Sequence, residues 1–142
     1  MSSTPKVFIS HSSTDTWIAE QIAAAIRRCG AETFLDQADI KHGDDFEEKI
    51  LQAADDSTEL IVLLTPWSIN RPYVWLEIGA FWARRKRMVG VLHGVTAKDL
   101  STDERIPVAL KRLNMINLND IESYLTQLDE RMKDWRASHA ET

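Results

Sequence analysis

Leu60-Ile61-Val62-Leu63-Leu64 is the most apolar run in the chain, and it shows no polar alternation. A strand with one wet face alternates apolar and polar side chains, whereas a strand covered on both faces does not. The run therefore calls for helices above and below a sheet. That restricts the chain to folds in which strands and helices take turns. A length of 142 residues is that of about one domain.

The rest of the sequence supplies the alternation. A first strand is expected over 6–10, where Val7, Phe8 and Ile9 form a buried run. The polar loop His11-Ser12-Ser13-Thr14-Asp15 leads to a helix starting near Thr16, with Ile18, Ile22, Ala25 and Ile26 on one face and Gly30 as its stop. A second strand is expected over 31–35, then a polar loop over 36–44. Asp45 and Glu48 have capping-box spacing ahead of a helix carrying Phe46, Ile50, Leu51 and Ala54. The third strand spans 59–65. Pro66 and Pro72 bracket a loop, and a helix over 73–87 follows, with Pro72 at its first turn. A fourth strand is expected over 88–93, an irregular polar stretch over 94–105, a short helix over 108–113 and a last strand over 115–118. Asn119 and Glu122 read as a cap for a final helix with Ile121, Leu125, Leu128, Met132 and Trp135 at helical spacing. Residues 6–136 form one expected domain between flexible ends, 1–5 and 137–142.

Five such units predict an α/β fold: a flavodoxin-like, three-layer domain with a five-stranded parallel sheet in the order 2-1-3-4-5. In these sheets ligands bind beyond the carboxyl ends of the strands, where the order reverses between strands 1 and 3. That places Ser10 to Asp15 beside residues 65–74. The loop after strand 2 overhangs the same edge.

Composition narrows the function. One cysteine, Cys29, excludes an internal disulfide and fits a reducing compartment. No segment reads as a signal peptide or a membrane span, so a cytoplasmic protein without a membrane partner is expected. The net charge of −5 argues against nucleic acid as a partner. The basic cluster Arg84-Arg85-Lys86-Arg87 reads as a helix end favoured by the helix dipole. His11, His42, His93 and His139 are scattered, so no metal site is expected.

Glu77 is the one carboxylate in the aromatic stretch after the third strand. Ionised among apolar groups it must be paired, solvated or used. Two roles fit. It is a first-turn acid that favours its helix and pairs with Arg71. Or it faces the crevice, holds ribose hydroxyls and stabilises a cationic sugar carbon. Tyr73, four residues earlier, shares its helix face. Tyr73 and Trp75 read as core or as stacking platforms, and Trp82 as core. The loop from Ser10 to Asp15 reads as turn and cap, or as an anchor for phosphates. It carries no glycine-rich phosphate fingerprint.

Val7-Phe8-Ile9-Ser10-His11-Ser12 with Asp15 resembles the first box of the TIR (Toll/interleukin-1 receptor) domain family. Phe34-Leu35-Asp36, running on through Asp39, Ile40, Lys41, His42, Gly43 and Asp44, is similar to the family's second strand and BB loop. Leu63 to Ser68, then Tyr73 and Trp75-Leu76-Glu77, resembles the strand and helix that carry the family's catalytic glutamate. The resemblance implies cleavage of NAD, as substrate, at the nicotinamide–ribose bond. It makes Glu77 the catalytic acid and lines the substrate site with Phe8, Ser10, His11, Asp39, Tyr73 and Trp75. Close relatives usually carry Trp where this chain has Tyr73. The resemblance also implies head-to-tail self-association, with the loop of Asp39, Ile40, Lys41, His42, Gly43 and Asp44 completing a neighbour's site. It suggests a standalone bacterial type in antiphage defence with a separate sensor or effector. Two rivals remain at this level: a non-catalytic TIR–TIR interaction module, and a nucleotide N-glycosidase using the same carboxylate logic.

Overall fold

The computed structural model describes residues 4–36 and 46–140. Five parallel strands form one sheet: β1 (Lys6–Ser10), β2 (Glu32–Asp36), β3 (Glu59–Leu64), β4 (Arg87–Leu92) and β5 (Asn114–Asn117). Their order is β2-β1-β3-β4-β5, as expected from the sequence. Around them lie α1 (Thr16–Arg28), α2 (Phe46–Asp56), α3 (Pro72–Ala83), α4 (Ala97–Thr102), α5 (Val108–Lys111) and α6 (Ile121–Ser138).

Side chains alternate across each strand, so β3 feeds both layers. Leu60, Val62 and Leu64 pack under α2, α3, α4 and α5 with Ile50, Ala54, Val74, Ile78, Phe81, Leu100 and Leu110. Ile61 and Leu63 pack under α1 and α6 with Ala19, Ile22, Ile26, Leu125, Leu128 and Met132. Ser10, the last residue of β1, lies opposite Val62, so β3 runs on past the end of β1 to Leu64. The step leaves the β3–α3 connection standing beside the β1–α1 loop.

Three expectations change. The stretch over 94–105 holds α4, closed by a capping box in which Thr96 Oγ1 accepts from the Asp99 amide and Asp99 Oδ2 accepts from the Thr96 amide. The expected Asn119–Glu122 cap is absent. A 3-10 turn, Leu118–Asp120, moves the cap position of α6 to Asp120, whose side chain makes no capping bond. Trp82 is exposed, not core. The Asp45–Glu48 capping box and the loop of Asp39 to Asp44 lie outside the described residues.

The basic cluster serves two helices: Arg84 Nη1 donates to the Ala80 carbonyl in the last turn of α3, as expected, and Lys86 serves the helix before it. α3 stops at Ala83, and Arg85 takes the left-handed backbone region at φ 56°. The chain then turns so that the Lys86 ammonium donates to the carbonyls of Ala54, Asp55 and Ser57. Those are the orphan acceptors at the carboxyl end of α2. Arg84 Nε donates to Asp55 Oδ1 at 2.5 Å. That bond holds the Asp55 carboxyl below its usual range.

At the amino end of the sheet, Glu59 is buried at the start of β3. Its Oε2 accepts from Tyr124 Oη at 2.6 Å and from Arg131 Nη2 at 3.0 Å. Burial, reinforced by the Glu59 carboxylate, raises the pKa of the Tyr124 hydroxyl far above its usual value, so it stays a donor. Tyr124→Phe removes that donor from a buried carboxylate. It is expected to cost ~1–3 kcal/mol, seen as a lower urea midpoint with an unchanged slope.

Candidate functional site

β1 ends at Ser10 because the chain there must leave the sheet, and Ser12 to Asp15 turn into α1 with the Asp15 amide donating to the Ser12 carbonyl at 2.9 Å. β3 ends at Leu64. Thr65 to Arg71 turn through Ser68, whose hydroxyl donates to the Leu63 carbonyl at 2.7 Å while accepting from the Thr65 amide at 2.9 Å. Pro72 then opens α3, where its missing N–H costs nothing.

Glu77 stands in the second turn of α3 and is 0% exposed. Its Oε1 accepts from Ser10 Oγ at 2.5 Å, a bond that joins residues 67 positions apart. Tyr73 Oη, one turn back, donates to the His11 carbonyl at 3.1 Å. His11 is buried, with Nδ1 3.4 Å from the Ile9 carbonyl and no hydrogen-bond partner for Nε2 among the described residues. The structure thus brings Ser10, His11, Tyr73 and Glu77 together at the β1/β3 switch. A serine hydroxyl fixes one carboxylate oxygen, and an imidazole nitrogen stays uncommitted in the buried loop beside it. Arg71 is not the partner expected for the acid. Its Nε donates to the Trp67 carbonyl at 3.1 Å.

Two of the expected site residues sit elsewhere. Phe8 is in the core, its ring 5.2 Å from that of Phe34 and 5.4 Å from that of Phe81. Trp75 lies two residues before Glu77, hence ~200° away round the helix. Its Nε1 donates to the Ile69 carbonyl at 2.9 Å, and its ring lines the groove between α2 and α3. Asp39 is not among the described residues.

The two loops are tied by a group that sequence reading gave only a turn or anchor role. Asp15 is buried, and its Oδ2 accepts from Ser12 Oγ at 2.9 Å and from Thr65 Oγ1 at 2.6 Å. Thr65 Oγ1 in turn accepts from the Trp67 amide at 3.2 Å. This chain of bonds fixes the β1–α1 loop against the β3–α3 connection, and so fixes Ser10 relative to Glu77. The negative charge it places at the start of α1 also disfavours phosphate there. Asp15→Ala strands two buried hydroxyls and is expected to cost ~2–3 kcal/mol. Asp15→Asn keeps an acceptor and is expected to cost less, with thermal unfolding as the measure.

A five-stranded parallel sheet in the order 2-1-3-4-5, with helices on both faces, sets the fold class as α/β, flavodoxin-like. The family model for the TIR domain matches residues 7–132, and the chain belongs to that family. Over 130 residues it is 25% identical to a Brachypodium distachyon protein described as a probable 2′ cyclic ADP-D-ribose synthase, covering 90% of this chain and 53% of that one. The chain therefore spans about half the length of that curated relative. The fold is similar to the TIR domain of the Toll-related receptor TRR-2 of Hydra magnipapillata, with a TM-score of 0.65 at 18% identity over 89% of this chain and 97% of that one. It is also similar to a metazoan TIR-STING receptor of C. gigas, at TM-score 0.63 and 20% identity over 87% and 38%.

Proposed function

We propose that this chain cleaves NAD at the nicotinamide–ribose bond, with Glu77 as the catalytic carboxylate. The observation that carries the reading is a wholly buried glutamate, held by Ser10, at the switch point of the sheet. The similarity to a protein described as a probable 2′ cyclic ADP-D-ribose synthase supports it.

In this reading the ribose hydroxyls meet Glu77. As the bond from the anomeric carbon to the pyridinium nitrogen breaks, its electron pair leaves with neutral nicotinamide. Positive charge moves onto the sugar carbon and ring oxygen. A negative carboxylate in a water-poor site stabilises that charge more than it stabilises the ground state. Ser10 Oγ orients the carboxylate, and Tyr73 Oη holds the His11 backbone in place beside it. Attack by water, with loss of a proton, gives ADP-ribose. Attack by an adenine nitrogen, or by a ribose hydroxyl with loss of its proton, gives a cyclic product. The choice depends on how well water is excluded.

The burial of Glu77 in the single chain supports a site that opens on assembly, with the loop of Asp39 to Asp44 reaching a neighbouring copy head-to-tail. A role in antiphage defence with a separate sensor or effector rests on the family resemblance alone. The test is nicotinamide release from NAD by concentrated wild-type protein and by Glu77→Gln. Equal release would overturn the assignment. A non-catalytic interaction module predicts no release by either.

A further inference from the structure

Arg71 is not tied to Glu77. It stands at the cap position of α3, on the carboxyl edge of the sheet, and is exposed. Its Nε donates to the Trp67 carbonyl at 3.1 Å, which holds the guanidinium against the β3–α3 connection. Nη1 and Nη2 have no partner among the described residues. Trp67 is pinned on both sides. Its amide donates to Thr65 Oγ1 at 3.2 Å and its carbonyl accepts from Arg71, yet its indole is 51% exposed. A ring on a fixed backbone loses little freedom on binding and offers a flat face for stacking.

The charges at this edge decide what such a pair binds. The described connections that leave the carboxyl ends of the strands are 11–15, 65–71, 93–96 and 118–120, and Arg71 is their one Lys or Arg. Their acids are committed or distant. Asp15 is buried with its Oδ2 taken by the Ser12 and Thr65 hydroxyls, and Asp120 follows β5, two strands from β3. Glu77 faces inward to Ser10. The first turn of α2 adds two acids and one base, Glu47, Glu48 and Lys49. The start of α1 is disfavoured for phosphate by the Asp15 charge. An anion over the β3–α3 connection therefore meets Arg71.

The spacing to the acid also fits. Glu77 lies six residues beyond Arg71, a rise of ~9 Å along α3. That is about the reach of a ribose carrying a diphosphate on its 5′ carbon.

We propose that Arg71 and Trp67 form a subsite for the adenosine diphosphate half of the substrate, with the guanidinium on the diphosphate and the indole stacked on the adenine. A guanidinium suits this place because its parallel N–H donors meet two phosphate oxygens at once. The choice of a dinucleotide rests on the reading of Glu77 given above, whereas binding of free ADP does not depend on catalysis. Neither residue touches the bond that breaks. Each holds ground state and transition state alike, so its loss raises KM and leaves kcat.

Calorimetry of the full chain with ADP and with adenosine tests the subsite. Arg71→Ala is expected to weaken ADP binding ~10- to 100-fold and to leave adenosine binding nearly unchanged. Trp67→Ala is expected to weaken both ~10-fold, and Trp67→Phe to restore most of the loss. Trp82→Ser removes an indole that is 65% exposed but lies outside the subsite, and is expected to change neither. Circular dichroism and Tm are expected to stay those of wild type in all four variants. With NAD, Arg71→Ala is expected to raise KM for nicotinamide release ~10-fold or more at nearly constant kcat. A wild type that does not bind ADP overturns the subsite, as does ADP binding indifferent to Arg71→Ala. A loss in Arg71→Ala shared equally by adenosine also overturns it, because Arg71 is then a brace for the turn. ADP binding that depends on both residues, in a protein that releases no nicotinamide, upholds the subsite and removes the NAD-cleaving reading.

Discussion

Glutamine in place of Glu77 is expected to cut nicotinamide release by about 10³-fold, in the range seen when one electrostatic group aimed at developing charge is removed. The side chain keeps its size and an oxygen that can accept from Ser10, so the surrounding packing keeps its shape. Only the negative charge goes. Because a wholly buried carboxylate is costly to desolvate, the variant's Tm is expected to be unchanged or higher. Stability gained as activity is lost is the mark of a residue kept for chemistry. A fall in Tm equal to that of a core truncation would instead make Glu77 a packing residue.

Phe81→Ala is expected to have the largest effect on stability. The ring is wholly buried and meets Phe8 edge to face at 5.4 Å and 64°. Removing a buried phenyl costs ~3–5 kcal/mol, from lost transfer energy and the cavity left behind. For a domain of this size that lowers Tm by on the order of 10 °C. It is also a large part of the ~5–15 kcal/mol that holds a typical domain folded. Phe81 lies one turn beyond Glu77 on the same helix, so the folded fraction is expected to release nicotinamide more slowly as well. Thermal unfolding and nicotinamide release, measured on one preparation, check both parts.

The sheet was readable because its signal is local and redundant. The unbroken run from Leu60 to Leu64 requires cover on both faces, and each strand is followed by helix-spaced apolar residues. Glu77 was readable as an oddity, an acid among aromatics, and the resemblance gave it a role. The nearness of the Ser10 loop to the β3–α3 connection followed from an assumed strand order, but the Ser10–Glu77 bond itself, across 67 positions, was not legible. The Asp15–Thr65 bond spans 50 positions and was not seen in sequence. The hydroxyls of Thr65 and Ser68, directly after a fully apolar strand, were the available hint. Trp82 was misplaced because α3 has no polar face to orient it. A periodicity argument fails where every position is apolar. α4 was missed because six residues give too little period, although Thr96 and Asp99 had capping-box spacing.

Glu77 is mounted on a helix and not on a loop. Its helix is anchored by Val74, Ile78 and Phe81 in the core and reaches the crevice as one rigid body. The Glu77 backbone is therefore located by the hydrophobic interior, and the loops act only on the carboxylate, through Ser10. Those loops can lengthen, shorten or change composition over evolutionary time without shifting the acid. A lineage built this way can change what its loops contact while the acid stays in place.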